Sequence, residues 1–480
     1  MFGERPVTFA QQLESTMRKK GLSAQKLADL IGYKSKTTVV RILREESVHA
    51  GREKLFAGMK ALGILTAEEQ RALYDALEVS RVGPERALAR AMLRAALTGR
   101  TDRFASPSRE LSGALEMLCA SREAKILLLN CCWQSVILPL REVLEKRPNC
   151  TIEHYVSIPA RESAAMAALC AMLNIACMPA YSCYTTAEAG ADTPSMPQSA
   201  LCISAQDRDG QSMDVLISFR DAQTFTVLRQ PSEGGLFDFM RSVLQKYEWR
   251  RIVSAYDMAT GPETLVQCMH YSTQIERDCH VRAVKPVMCI NEVEARILRD
   301  ALTDGGVLRH FPQRPEKNVL AMLDDFLYFQ EIRYDSLFSG STRRRQIHSA
   351  RSLRRFALTG KFDMPFHAIR PFTVPERISI LENYAEAMLG ASGFSARAWN
   401  QDEDMELEVY AFEGVGILSL PSDMHGWESV DYQASMIRHP RLLSLFEDCF
   451  DDDLERNCTL SMQDSRAQVL DLISMLRASL

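Results

Sequence analysis

The sequence predicts a multidomain chain, an all-α amino-terminal domain followed by a large α/β or α+β region. Three observations carry this. Apolar residues recur at helical spacing through the first 80 residues. Beyond about residue 110, short apolar strand-like runs alternate with helical segments. The chain has 480 residues, 46% hydrophobic and 25% charged, which suits about three domains at roughly 150 residues each. That composition excludes fibrous, collagen-like and wholly disordered chains.

The first elements follow from periodicity and caps. Phe9, Leu13 and Met17 form one stripe of a helix over Phe9–Lys20, stopped by Gly21. Ser23 caps a second helix, Ala24–Ile31, whose Leu27, Leu30 and Ile31 face inward and which Gly32 closes. Ser35 caps a third, Lys36–Arg44, with Val39, Ile42 and Leu43 as its apolar side. A fourth spans Arg52–Leu62. Thr66 and Glu69 make a capping box that opens a fifth. A sixth starts at Pro84 and ends at Gly99, and the polar stretch Arg100–Arg109 reads as a linker.

Next come strands at Lys125–Cys131 and Cys150–Ile158 around a helix at Val136–Lys146, then a helix at Arg161–Leu173 and a strand at Ile175–Tyr184. Thr185–Gln198 reads as a surface loop. Strands at Asp214–Phe219 and Thr224–Leu228 precede a helix at Leu236–Tyr247. Capping boxes at Thr260/Glu263 and Thr373/Glu376 open two further helices, with helical segments at Glu292–Leu302 and Val319–Phe329 between them. Strands at Leu407–Phe412 and Gly416–Leu420 lead to a helix at Arg441–Phe450. The expected division is 1–80, a helical domain; 81–110, helix and linker; 111–255, an α/β sensor or regulatory domain; and 256–480, mostly helical with a terminal α+β domain. Strand–strand–helix occurs near 214–247 and again near 407–450, but the residues hardly match. The recurrence therefore reads as a common local arrangement rather than a duplication.

Leu22–Leu43, LSAQKLADLIGYKSKTTVVRIL, carries the clearest functional pattern. Two short helices meet across a turn. Ala28 is small enough to let them approach, and Gly32 can take the left-handed conformation that redirects the chain. Through Leu22, Ser23, Leu27, Ala28, Gly32, Ser35, Thr38, Val39, Arg41 and Ile42 the segment resembles λ repressor-like DNA-binding domains of the Cro/C1 (XRE) helix-turn-helix type. The resemblance covers about residues 8–79. It departs from the family pattern in having Ala24 rather than glutamine at the start of the second helix, and in a turn one residue longer. It implies that the helix beginning at Ser35 enters the major groove. DNA-binding residues would then be Ser23, Gln25, Lys34, Ser35, Lys36, Thr37, Thr38 and Arg41.

Charge points the same way. Residues 1–65 hold 12 Lys and Arg against 6 Asp and Glu, giving +6, while the whole chain carries −5. A cationic module on an acidic body suits phosphate binding by one end. The expectation is a bacterial-type DNA-binding transcriptional regulator, a cytoplasmic homodimer on double-stranded DNA. Its carboxy-terminal region would sense a small-molecule or peptide effector or mediate oligomerisation. The alternatives are an enzyme of unknown chemistry carrying a DNA-binding module, or a protein-interaction adaptor.

No catalytic residues, cofactor or metal site are expected. The sequence has no phosphate-binding loop, no nucleophile-elbow motif and no paired metal-ligand spacing. Thirteen cysteines without a C-x-x-C pair suggest reduced thiols, and Cys131–Cys132 reads as buried packing rather than a redox sensor. The most apolar stretch, Ile126–Leu140, is broken by Asn130, Gln134 and Pro139 and is too short to span a membrane. Arg343–Lys361 holds seven arginines and lysines around His348 and no acid. It reads as a solvated face or inter-domain seam, with an anionic-ligand contact as the alternative. Asp448–Glu455 reads as a wet acidic helix end.

Overall fold

The computed structural model describes residues 8–46, 49–99, 123–144, 150–176, 181–186, 199–206, 210–220, 224–257, 273–285, 293–310, 315–339, 343–361, 369–389, 393–401, 405–421 and 433–480, with a few single positions between. The linker Arg100–Arg109, loop residues 187–198 and the capping box at 260–263 lie outside them. The chain divides into two units, residues 1–93 with 159–166, and residues 94–158 with 167–480.

The first unit is helical: α1 Phe9–Lys19, α2 Ala24–Ile31, α3 Thr37–Leu43, α4 His49–Ala61, α5 Ala67–Val82 and most of α6 Pro84–Leu97. Its core gathers the expected stripes, with Leu13, Leu27, Ala28, Val39, Ile42, Leu55 and Met59 fully buried. Ser23 caps α2 by accepting from the Lys26 N–H, and Thr66 and Glu69 form the reciprocal box that opens α5. Gly32 ends α2 in the left-handed conformation at φ 81°, where a Cβ would be strained. One detail differs. α3 starts at Thr37, and Lys36 occupies its cap position without a side-chain bond. Residues 159–166 join this unit through ion pairs of Arg161 with Glu85 and of Arg86 with Glu162.

The second unit contains two mixed sheets. Sheet one runs β6-β5-β4-β1-β2-β3-β7, with β1 Ala124–Leu129, β2 Cys150–Tyr155, β3 Tyr181–Thr186, β4 Ala200–Gln206, β5 Ser212–Phe219, β6 Phe225–Pro231 and β7 Trp249–Arg251. Strands β1, β2 and β3 are parallel, joined through α7 Gln134–Leu144 and α8 Glu162–Ile175, as parallel neighbours require. Strands β1, β4, β5 and β6 are antiparallel, and α9 Leu236–Leu244 follows.

Sheet two runs β11-β10-β9-β12-β13-β14-β8, with β8 Val253–Asp257, β9 Val281–Lys285, β10 Arg344–His348, β11 Phe394–Ala398, β12 Leu407–Phe412, β13 Gly416–Pro421 and β14 Gln433–Ile437. Again three consecutive strands, β9, β10 and β11, are parallel, and β9, β12, β13 and β14 are antiparallel. The parallel crossovers carry α10 Ala295–Asp304, α11 Glu316–Ser339, α12 Ala350–Thr359 and α13 Val374–Ala387. α14 Pro440–Cys449 follows β14, continues through a π turn at Phe450–Leu454, and α15 Met462–Arg477 completes the layer.

The two sheets therefore share one topology, β1–β6 matching β9–β14, with β7 and β8 added at different edges. The second unit thus repeats one sheet topology, contrary to the expectation. The recurrence in the sequence was displaced by one strand: 214–247 holds the fifth and sixth strands of its half with their helix, whereas 407–420 holds the fourth and fifth.

Strands β9, β10 and β11 escape a periodicity reading because each carries arginine: Arg282, the adjacent Arg344 and Arg345, and Arg397. Arg282 on β9 bonds Asp451 at 2.9 Å and Glu447 at 2.7 Å. Arg345 on β10 pairs with Asp451 and Glu455. The acidic segment is thus not a wet helix end; its carboxylates clamp the π turn to the sheet, and Asp453 is fully buried.

Candidate active site

The eight residues that the sequence nominates for DNA contact are all exposed in the first unit. Lys34, Ser35 and Lys36 lie in the turn, and Thr37, Thr38 and Arg41 on α3. Ser35 accepts a bond from the Thr37 N–H at 3.4 Å, and Gln25 donates to Asp29 at 2.8 Å. Ala28 is completely buried, as close approach of α2 and α3 demands.

A second constellation, unforeseen in the sequence, forms where β9 and β10 end. His348 closes β10, Lys285 closes β9, and the two are register partners. Neighbouring partners point to the same face, so Lys285 and Ala283 share a face with His348, Gln346 and Arg344. Ser349, next in the chain, donates its N–H to the Lys285 carbonyl at 3.2 Å and caps α12. The α12 N-terminus, with its partial positive charge, thus begins beside the histidine.

Burial makes this cluster unusual. Lys285 is 1% exposed and His348 5%. His348 Nδ1 lies 2.9 Å from the Tyr384 hydroxyl, and the Gln346 amide donates to the same oxygen at 2.8 Å. Further along, Arg333 on α11 grips Glu276 with bonds of 2.6 and 3.2 Å, and Arg344 lies 3.8 Å from the same carboxylate. Burial alone would raise the Glu276 carboxyl, but the charges of Arg333, Arg344 and Lys285 outweigh it and hold the group below its usual range. Removing such charges from water costs several kcal/mol each. Dense buried ionisable groups of this kind are a recognised mark of functional sites.

The first half repeats part of the arrangement. His154 on β2 lies 2.9 Å from the Tyr181 hydroxyl, and its register partner on β1 is Leu128. With the two histidines superposed, Lys285 corresponds to Leu128, Arg344 to Cys150 and Gln346 to Ile152. The histidine is common to both halves; the cations are not. Burial drives His154 down to about 3, so it is neutral, and its Nε2 has no partner among the described residues.

Among the described residues no group of three or more His, Cys, Asp or Glu could hold a metal. Cys131 is pushed up to about 12 and Cys132 well above its ordinary value, both chiefly by burial, which suppresses thiolate chemistry. No described helix is long and apolar enough to cross a membrane.

Sequence reading noticed His348 only inside a basic run and missed Glu276, Lys285, Arg333 and Tyr384. The available signal was the pair VRAVK and RRQIH, strand-like runs ending in a cation and an imidazole.

No family model matches the chain, and no curated protein matches it. Among solved structures, it is similar to a polyphosphate kinase from Porphyromonas gingivalis, at 11% identity and TM-score 0.21, covering 76% of this chain and 54% of that one. It is also similar to a phosphatidylserine synthase from Haemophilus influenzae Rd KW20, at 10% identity and TM-score 0.24, covering 77% and 91%. The chain spans about half the length of the kinase. Both neighbours are enzymes and neither is a DNA-binding regulator. The expectation of a non-catalytic transcriptional regulator, with the regulatory descriptors attached to it, is corrected on that finding.

Proposed function

We propose that the chain is an enzyme acting on a phosphate ester, with its centre at the carboxyl ends of β9 and β10. The observation that carries this is the buried pairing of Lys285 with His348 beside the N-terminus of α12. Open α/β sheets bind ligands outside the carboxyl ends of their strands. An ammonium and a helix N-terminus suit a tetrahedral oxyanion. With Nδ1 donating to the Tyr384 oxygen, Nε2 is the nitrogen through which His348 acts as nucleophile or base. Lys285 binds a phosphoryl oxygen and stabilises charge that grows on it. Tyr384 orients the ring. The test is turnover of bis(p-nitrophenyl) phosphate: the parent cleaves it, and His348→Ala and Lys285→Ala each abolish cleavage in folded protein. Equal turnover by parent and variants refutes the proposal.

The exposed residues of the turn and α3, together with the +6 charge of residues 1–65, favour an accessory role for the helical unit. In this reading the enzyme is held on duplex DNA through a helix-turn-helix of the Cro/C1 type, as a homodimer on two half-sites. Lys36→Ala with Arg41→Ala would then weaken gel-shift affinity and flatten its salt dependence; unchanged affinity rejects the role. The nine described cysteines are all free, which supports a cytoplasmic location.

A further inference from the structure

The fold divides the basic run Arg343–Lys361 between two settings. Arg344 and Arg345 lie on β10, where Glu276, Asp451 and Glu455 answer them. Arg351, Arg354 and Arg355 on α12, and Lys361 just beyond it, are exposed. Among the described residues no carboxylate pairs with Arg351, Arg354 or Lys361.

Helix stability does not account for this face. The α12 sequence ARSLRRFALT contains no acid, so no intrahelical pair offsets its charges. No basic residue stands in the last turn, where a cation would complement the helix dipole. Arg351 lies instead in the first turn, at the positive end. Exposed cations kept where they do not stabilise their own helix point to a negative ligand from outside. The helix also begins at the candidate centre: Ser349, its cap, follows His348 directly, and Arg351 is next but one after Ser349.

We propose that the exposed face of α12 binds the phosphate backbone of a nucleic acid and leads it to the centre, so that the ester acted on there is a nucleic-acid phosphodiester. This rests on the phosphate-ester reading of Lys285 and His348. Backbone binding needs repeated cations and no base contacts, which a row of guanidinia supplies. From Arg351 to Thr359 the helix rises about 12 Å, the axial length of three to four phosphates on one strand of a duplex at about 3.4 Å each. A bilayer fits less well. A helix lying on lipid buries an apolar face in it, whereas Leu353, Phe356 and Ala357 of α12 are packed in the protein core, leaving only Leu358 exposed. The +6 charge of residues 1–65 gives the same chain a second cationic region.

The experiment is fluorescence anisotropy of a short labelled duplex of arbitrary sequence with the full chain, across a salt series. His348→Ala prevents turnover, and Lys36→Ala with Arg41→Ala removes any hold by the helical unit. In this background Arg351→Gln/Arg354→Gln/Lys361→Gln should weaken binding about tenfold and reduce the salt slope by about 2–3. Arg229→Gln, exposed on β6, should bind as the background does. Unchanged affinity and slope in the triple variant overturn the proposal. So does tighter, equally Arg351-dependent binding of anionic vesicles or of inorganic polyphosphate, which would make the ligand a lipid surface or a phosphate polymer. The readout is binding rather than turnover, so its failure leaves the phosphate-ester reading to its own test. A parent that cleaves bis(p-nitrophenyl) phosphate but no nucleic acid overturns the substrate class alone.

Discussion

The Tyr384 hydroxyl stands 2.9 Å from His348 Nδ1 and also receives the Gln346 amide, so one helix residue governs two consecutive inward positions of β10. In the first half the same distance separates His154 from Tyr181, a residue of β3. Two halves of one topology thus reach the same imidazole–phenol contact from different elements.

If Tyr384 orients a working imidazole, Tyr384→Phe should lower kcat on bis(p-nitrophenyl) phosphate by about tenfold or more with little change in KM. It should also move the acidic limb of the kcat pH profile, where an imidazole base must lose its proton. Tyr181→Phe, in the half without cations, should leave both parameters unchanged. Equal effects of the two variants would show that the contact is structural in both halves.

His154 gives a pH signature. Its value falls from 6.5 unfolded to about 3 folded, because burial penalises the imidazolium. Its contribution to stability is therefore fully present above pH 6.5 and declines as pH falls toward 3. His154→Leu should remove that part of the acid dependence when denaturant midpoints are compared at pH 7 and pH 5.

The same position tests the cost of an orphaned partner. His154→Leu leaves the buried Tyr181 hydroxyl without its imidazole and should cost about 1–3 kcal/mol at pH 7. The double variant His154→Leu/Tyr181→Phe removes both polar groups and should recover most of the loss. Urea unfolding of the three proteins measures this directly.

Glu276→Gln should be costly in the second half. Taking away the carboxylate leaves Arg333 and Arg344 buried without its charge, a change of about 3–5 kcal/mol for a buried pair. The urea midpoint should fall accordingly, and far more than for Glu14→Gln, whose pair with Arg18 is exposed on α1.

In the helical unit, Ala28 is fully buried between α2 and α3. Ala28→Leu should destabilise by about 1–3 kcal/mol through overpacking, and an exposed change such as Lys26→Ala should stay within about 0.5 kcal/mol. Thermal unfolding of full-length protein distinguishes them.

Helices α1 to α5 could be read directly because their determinants are local. Stripes at spacings of three and four, the Ser23 cap, the Thr66/Glu69 box and Gly32 each act within one or two turns. Strands β12 and β13 were legible for a similar reason, as short apolar runs around a turn. By contrast, β9, β10 and β11 carry arginines that only distant carboxylates make tolerable: Glu276 for Arg344, and Asp451 and Glu455 for Arg345.

Local chemistry in the sequence was enough to define a helical unit with a cationic, exposed turn and third helix. It was not enough to reveal the repeated topology, since the halves share strand order and register while Leu128 stands where the other half has Lys285. Nor did it reveal the candidate centre, whose members run from Glu276 to Tyr384 and meet only when β9 and β10 pair in one register. The reason is physical. Helix signals are written within a few residues, whereas a buried charge is stable only beside partners that the completed sheet brings to it.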